Sequence, residues 1–332
     1  MDMGKDNPVS IRFLNWAVPI KDDDIGRLFF TKLFEKVTNR EVVINYNENG
    51  KVDIQVESVY GAPNTPKISE RLTRFSQSAL PGGIKFDNRN MSANQQPNKG
   101  GKFNIFFTGE NTRPPQGTWD AYLSFDQHSY GGRNIYLPLW WLTSSDILIP
   151  TISPYLGRPI TLDEMLKPRN SNYNERKKFC VAFIGKAWPF RMHALEALSK
   201  IGDVDVFGGI ARNANSPKAK SKFETAQNYK FIFAFENDLF PGYVTEKAPE
   251  AWATGAIPLY WGSDPQGYLN QKSLINLADF KSMEAFVGHV SEVNESQVLW
   301  ESYATQPFLL KKPNLDVVIQ TLRQILKPLV SE

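Results

Sequence analysis

The densest run of chemically capable side chains is Phe235-Glu236-Asn237-Asp238-Leu239-Phe240-Pro241-Gly242-Tyr243-Val244-Thr245-Glu246-Lys247. An apolar run with strand character ends near Phe235, and helical spacing resumes near Thr245 or Glu246. The cluster is therefore expected at the carboxyl end of a strand, where open α/β sheets bind ligands. That position suits a nucleotide. The N-terminus of the following helix would offer N–H groups and a positive dipole end to a diphosphate, and Lys247 would add a full charge. Glu246 is of the right type to accept hydrogen bonds from ribose or sugar hydroxyls. The helix is predicted to carry Pro249 in its first turn, where a missing N–H matters least, and to close at Gly255. Glu246-Lys247 is equally what an ordinary exposed ion pair at a helix start looks like, and the motif alone does not separate the two.

The elements that must position this cluster follow from hydrophobic spacing. In the second half, strands are predicted at Phe179 to Ile184, Val204 to Phe207, Tyr229 to Phe235 and Ala256 to Trp261, with helices at Arg191 to Lys200 and near Glu246 to Thr254. Strands alternating with helices argue for a parallel sheet. In the first half, Arg27 to Val37 has helical spacing, and Glu41 to Tyr46, Phe103 to Phe107, Asp120 to Phe125 and Ile135 to Trp141 have strand character. Asn88 to Lys102 is polar and reads as an exposed loop. The Pro- and Asn-rich stretch Pro150 to Asn174 is the natural boundary between halves. The expected division is residues 1–155, 156–310 and a helical tail at 311–332.

Composition narrows the function classes. The 332 residues carry 38 Lys plus Arg against 35 Asp plus Glu, a net charge of +3, so nothing in the totals commits the chain to nucleic acid or an anionic membrane. One cysteine, Cys180, excludes an internal disulfide and a cysteine zinc site and points to a reducing compartment or to indifference about redox. The polar start reads as no signal peptide, and runs such as Ile147 to Ile152 are far shorter than the roughly 20 residues that cross a bilayer. A soluble, cytoplasmic protein is the expectation.

The stretch from Tyr229 to Phe280 resembles the donor-site signature of α1,3/4-fucosyltransferases of glycosyltransferase family 10. The matching residues are Tyr229-Lys230-Phe231, Phe235-Glu236-Asn237, Tyr243-Val244-Thr245-Glu246-Lys247, Ala251-Trp252, Gly255-Ala256-Ile257-Pro258 and Trp261-Gly262. Val204 to Gly208 resembles the family's strand-and-glycine segment, Arg191 stands where a family arginine contacts the donor phosphates, and Phe107-Thr108-Gly109-Glu110-Asn111 is similar to the loop carrying the catalytic base in bacterial members. The resemblance covers about Phe103 to Phe308. It implies a GT-B architecture, two Rossmann-like domains with the active site between them, in a soluble bacterial-type or viral member.

The implied reaction is inverting transfer of L-fucose from GDP-β-L-fucose to a GlcNAc or glucose hydroxyl of an acceptor such as N-acetyllactosamine, giving an α1,3-linked, Lewis x type product. Such a displacement needs a carboxylate to take the acceptor proton and cations to hold charge on the departing GDP. The resemblance assigns the first role to Glu110 and the second to Arg191 and Lys247, with Asn237, Tyr243 and Glu246 around the ribose and fucose. Lys186 is a further donor-phosphate candidate or a plain loop lysine. His128 and Trp140 are weaker acceptor-side candidates. No metal is expected to be required, with stimulation by manganese or magnesium left open, and no nucleic-acid partner is expected. Two alternatives are a GT-B transferase using another nucleotide sugar and a glycan- or nucleotide-binding module without turnover.

This chain departs from the family pattern in two places. Asp238 follows the Glu-Asn pair where Ser or Thr is common, and Ile184-Gly185-Lys186 replaces a frequent Ser-Asn. Asp203-Val204-Asp205 spells a manganese-binding DxD, but its expected place at the start of a buried strand makes it a chance match. Asp22-Asp23-Asp24 reads as an acidic helix start. The tail Asn314 to Val330 has one apolar face. It is expected to pack on the body, with peripheral contact at the inner membrane surface as the alternative.

Overall fold

The computed structural model describes residues 7–16, 24–47, 50–59, 96–98, 100–153, 155–208 and 221–331. Most of the polar loop expected at 88–102, the acids Asp22 and Asp23, and the loop beyond Gly208 lie outside the described residues.

Two parallel sheets organise the chain. The first has β1 (Val9–Leu14), β2 (Val42–Ile44), β3 (Val52–Glu57), β4 (Gly101–Phe107), β5 (Ala121–Ser124) and β6 (Asn134–Tyr136), in the order β2-β1-β3-β4-β5-β6. The second has β7 (Lys178–Phe183), β8 (Val204–Phe207), β9 (Tyr229–Phe235), β10 (Ile257–Trp261) and β11 (Ile275–Asn276), in the order β11-β10-β9-β7-β8. The helices are α1 (Ile25–Thr38), α2 (Leu139–Thr143), α3 (Leu162–Met165), α4 (Pro189–Leu198), α5 (Lys222–Ala226), α6 (Lys247–Ala253), α7 (Met283–Glu295), α8 (Gln297–Ala304) and α9 (Leu315–Ile325).

The strand order of the second sheet locates a crevice. The chain goes from β7 outward to β8, then returns to the other side of β7 and builds β9, β10 and β11 in sequence. Winding reverses between β7 and β9, so the loops leaving their carboxyl ends part in opposite directions. Those loops are the ones that carry Arg191 and the Glu236 to Lys247 run.

Local rules explain most elements. Asp24 caps α1 by accepting from the Gly26 N–H at 2.9 Å, and Asn39 ends it with a left-handed φ of 55°. The run read as a strand from Ile135 to Trp141 is in fact divided: β6 ends at Tyr136, and α2 begins at Leu139 behind Pro138. The expected buried position of Asp203 to Asp205 is also corrected. β8 is the sheet edge and only half buried, and Asp205 is paired with Lys178 at 2.7 Å.

One core joins the first sheet, α1, α6 and α9, and a second fills the other face of the second sheet with α4, α7 and α8. The tail helix places Leu315, Val318 and Leu322 against the body, and Arg323 donates to the Val37 and Lys36 carbonyls at 3.1 and 2.8 Å. Its apolar face is thus occupied by the protein itself. Among the described residues no helix is long and apolar enough to cross a membrane.

Helix α6 closes on Gly255 at φ 86°, and a Cβ there would lie 2.2 Å from Arg176 Nη2. Arg176 cannot swing aside. It is 2% exposed, and its guanidinium donates to the carbonyls of Ala226 (2.9 Å), Tyr229 (2.7 Å) and Thr254 (2.9 Å). Gly255→Ala is therefore expected to cost about 1–3 kcal/mol of stability, read as a lower urea midpoint with an unchanged slope.

Candidate active site

The pocket at the winding reversal has a volume of about 810 Å³ and is lined by Gly185, Arg191, Gly208, Phe235, Glu246 and Lys247 among others. That lies within the range of about 300–1,000 Å³ usual for small-molecule sites. Gly208, at φ 112°, lets the chain turn out of β8 where a Cβ would strike the Ile184 carbonyl at 2.5 Å.

Arg191 enters from the first turn of α4. It is 8% exposed, its Nη2 donates to the Phe235 carbonyl at 2.7 Å, and its Nε is buried with no hydrogen-bond partner. Burial pulls its pKa down, while the charges of Glu236, Tyr243 and Glu246 oppose that shift. A buried donor left unpaired costs about 1–3 kcal/mol. A cationic one beside a pocket is a ready partner for an anion.

Lys247 is held by a small network. Its ammonium lies 3.2 Å from Glu236 Oε2, 2.8 Å from Thr245 Oγ1 and 3.6 Å from Glu246 Oε1. Glu236 is fully buried and also accepts from the Thr245 N–H at 2.8 Å and hydroxyl at 2.7 Å. Burial pushes the Glu236 carboxyl up. Although burial also acts on it, the lysine is held above its usual range by Glu236 and Glu246. Glu246 is half-buried in the opposite electrostatic situation: burial alone would raise it, but Lys247 and Lys222 hold it below the usual carboxylate range.

Two further groups that the sequence did not single out are Lys222, in the wall, and the buried Glu250 behind it. Lys222, at the start of α5, lies 2.6 Å from Glu250 Oε2, and Ser153 donates to the other oxygen of this buried carboxylate. Arg191, Lys222, Lys247 and Glu246 line the pocket, and the buried carboxylates Glu236 and Glu250 lie behind it, paired with Lys247 and Lys222. Each of the two lysines is thus paired with a buried carboxylate. The helix dipole adds little, since α6 has seven residues and Pro249 removes one N–H from its first turn.

Asn237 donates to the Tyr243 hydroxyl at 3.3 Å, and the Tyr243 ring stands edge-on to Phe125 of the first half at 5.1 Å. Burial, reinforced by the charges of Glu110, Glu236 and Glu246, keeps this phenol neutral by raising it well above its ordinary value. Glu110 is therefore within electrostatic reach of the Glu236 to Lys247 run.

Its own loop is built by Thr108 and Thr112. Thr108 Oγ1 lies 3.0 Å from the Glu110 carbonyl and 2.9 Å from that of Thr112, and the Thr112 N–H donates to the Glu110 carbonyl at 2.6 Å. Gly109 packs closely on α2, where a Cβ would meet Leu139 Cδ1 at 2.7 Å. The loop is also tied across the cleft: Asn111 Nδ2 donates to Asp238 Oδ2 at 3.0 Å. The aspartate that departs from the family pattern is thus a cross-cleft tether.

The structure brings Glu110, Arg191, Asn237, Tyr243, Glu246 and Lys247 to one region. Lys186 is exposed and is not among the residues lining the pocket, which favours its reading as a loop lysine. Trp140, 1% exposed against Trp141 and Tyr268, has no face to offer a sugar, so its acceptor-side assignment is corrected to core packing. His128 is exposed and lines a separate pocket of about 480 Å³. Among the described residues no group of three or more His, Cys, Asp or Glu could hold a metal ion.

Residues 173–306 match the family model of the C-terminal region of glycosyltransferase family 10 (fucosyltransferase). The chain is 29% identical over 206 residues to Alpha-(1,3)-fucosyltransferase FucT of Helicobacter pylori, which covers 56% of this chain and 43% of that protein. It therefore spans less than half the length of that relative. A crystal structure of an alpha1,3-fucosyltransferase superimposes with a TM-score of 0.66 at 21% identity, covering 98% of this chain and 92% of that one. An alpha1,3-fucosyltransferase solved with GDP-fucose gives 0.63 at 20%, covering 96% and 90%. The fold is of the GT-B type, and residues 173–306 are similar to the C-terminal region of glycosyltransferase family 10.

Proposed function

We propose that this protein transfers L-fucose from GDP-β-L-fucose to a GlcNAc or glucose hydroxyl of a glycan such as N-acetyllactosamine, with inversion and α1,3 linkage. The observation that carries the proposal is the tether that holds the Glu110 loop against the donor loop, opposite the cations Arg191 and Lys247. The solved relative with GDP-fucose supports the choice of donor.

In this reading Glu110 removes the proton from the acceptor hydroxyl as its oxygen attacks the anomeric carbon of fucose. The bond from that carbon to the β-phosphate oxygen breaks on the opposite face, and a β-linked donor gives an α-linked product. Arg191 holds the leaving phosphate through its unpaired Nε, and Lys247 moves part of its interaction from Glu236 to the same charge. Glu246, held ionised by its two lysines, accepts from ribose or fucose hydroxyls.

Titration with GDP-fucose, GDP and UDP-sugars tests the donor. Selective, GDP-dependent binding is expected, and preference for a UDP-sugar would favour the alternative of another nucleotide sugar. Because two cationic side chains face the leaving group, GDP release with acceptor present is expected to survive EDTA. Asn111→Ala removes the tether. A hydrogen bond to a charged group contributes about 1.5–3 kcal/mol. Turnover is accordingly expected to fall roughly ten- to hundredfold, with a much smaller change in GDP-fucose affinity. A loss confined to donor affinity would show that Asn111 does not position the base.

A further inference from the structure

We propose that Tyr155 is the stacking face for the nucleobase of the donor and that Lys222 beside it reads the guanine edge. This rests on the transferase reading above, which leaves the base without a partner. Charged groups along the 810 Å³ pocket stand in the order of a nucleoside diphosphate's own parts. Arg191 and Lys247 are at the end assigned to the phosphates, and Glu246 Oε1 follows at 3.6 Å from the Lys247 ammonium. Burial would raise Glu246, and both Lys247 and Lys222 oppose it, whereas the charges acting most on Lys247 are Glu236, Glu246 and Arg191. Lys222 therefore lies beyond Glu246, on the side away from the phosphates. With Glu246 on the ribose hydroxyls, the next group along the ligand is the base. Tyr155, Ser221 and Lys222 line that end of the pocket.

Tyr155 offers an open ring on a fixed turn. It is 66% exposed in the pocket wall, while its neighbour Leu156 is fully buried. The main chain is tied to α5: the Lys222 N–H donates to the Tyr155 carbonyl at 2.8 Å, and the Phe223 N–H to that of Leu156 at 3.2 Å. Ser153 Oγ accepts from the Tyr155 and Leu156 N–H groups, each at 3.3 Å, and donates to the buried Glu250. Gly157, at φ 85°, lets the turn close on α5, since a Cβ there would lie 2.4 Å from Ser221 Cβ. A ring whose backbone is already held loses little freedom when a planar ligand covers it.

Lys222 supplies the choice of base. Its ammonium lies 2.6 Å from Glu250 Oε2 and 5.6 Å from the centre of the Tyr155 ring. Glu250 takes one of its three N–H groups, and among the described residues no other hydrogen-bond acceptor takes the remaining two. A base lying on Tyr155 would bring its edge to that ammonium. Guanine presents two adjacent acceptors, O6 and N7, where adenine sets an N6 donor beside its N7. Stacking accepts any base, because each has a π face. The lysine is therefore what separates guanine from adenine.

The test is titration with GDP, ADP and inorganic pyrophosphate, followed by phosphorus NMR. GDP is expected to bind the wild type about tenfold more tightly than ADP. Tyr155→Ala should weaken both nucleotides about tenfold and leave pyrophosphate unchanged, and Tyr155→Phe, which keeps the ring, should bind like the wild type. In turnover, Tyr155→Ala should raise KM for GDP-fucose with kcat nearly kept, since the base is held alike in the ground and transition states. Lys222→Gln should bring the ratio of GDP to ADP affinity toward one. Lys222 also neutralises Glu250, so Tyr155→Ala, at an exposed residue, decides the matter if Lys222→Gln does not fold. Unchanged GDP affinity in Tyr155→Ala, an equal loss for pyrophosphate, or equal affinity of the wild type for GDP and ADP overturns the assignment. Fucosyl transfer by a protein whose GDP affinity is indifferent to Tyr155 overturns it alone. GDP binding that depends on Tyr155, with no transfer of fucose, overturns the transferase reading and keeps the base site.

Discussion

Glu110→Gln is expected to lower fucosyl transfer by about 10²–10⁴-fold, the usual contribution of a positioned general base, while GDP-fucose still binds. The substitution keeps the size and shape of the side chain and removes its ability to take a proton. The loop should keep its form, because the hydrogen bonds from Thr108 and from the Thr112 N–H reach the main-chain oxygen of residue 110. Single-turnover transfer measured at saturating donor isolates the chemical step. If Glu110 served only to stabilise its own turn, the glutamine variant would turn over at close to the wild-type rate, and that result removes it from the mechanism.

Lys247→Met is expected to damage stability and donor binding together. Its ammonium lies 3.2 Å from Glu236, a carboxylate with no solvent exposure. Breaking such a buried pair by removing one partner costs about 3–5 kcal/mol, and the partial exposure of Lys247 places this case toward the lower end.

The pH dependence of that loss has a definite sign. Glu236 is already raised above its ordinary 4.5 by burial, and loss of the cation raises it further. A carboxyl with a raised folded-state pKa contributes stability that is full below its unfolded value and is lost as pH rises through the folded one. The gap in melting temperature between variant and wild type should therefore be small near pH 4 and widen toward neutrality. Lys247 itself, raised in the folded state, supports the wild type throughout this range and would release that support only above its ordinary 10.5. A gap that is the same at pH 4 and pH 7 would show that Glu236 does not depend on this lysine. GDP affinity at neutral pH should fall at least about tenfold.

What could be read from the residues was largely the part governed by local rules. β8 and β9 run as predicted because β-branched and aromatic runs bounded by Asp, Gly or Asn leave little choice. Gly255 was legible as a helix stop because only a residue at ease with positive φ fits there. The stretch Ile135 to Trp141 was misread because a short apolar run has no periodicity that separates strand from buried helix, and Pro138 divides it.

The candidate site residues divide in the same way. Lys247, Glu246 and Asn237 were legible as neighbours because they lie on one contiguous stretch of chain. Lys222 and Glu250 were missed because their pairing, 28 positions apart, exists only once α5 and α6 are packed together. Asp238 was visible as a departure, but its role as the partner of Asn111, 127 positions away, required the two halves to be in place.

The central claim is inverting fucosyl transfer with Glu110 as base, and it is tested most directly by the anomeric configuration and linkage of the product. The purified protein would be incubated with GDP-β-L-fucose and N-acetyllactosamine, and the product analysed by NMR. The expected result is stoichiometric GDP and an α-linked fucose on O3 of the GlcNAc residue. A β-linked product, or an acceptor recovered unchanged while the protein binds GDP-fucose, would contradict it.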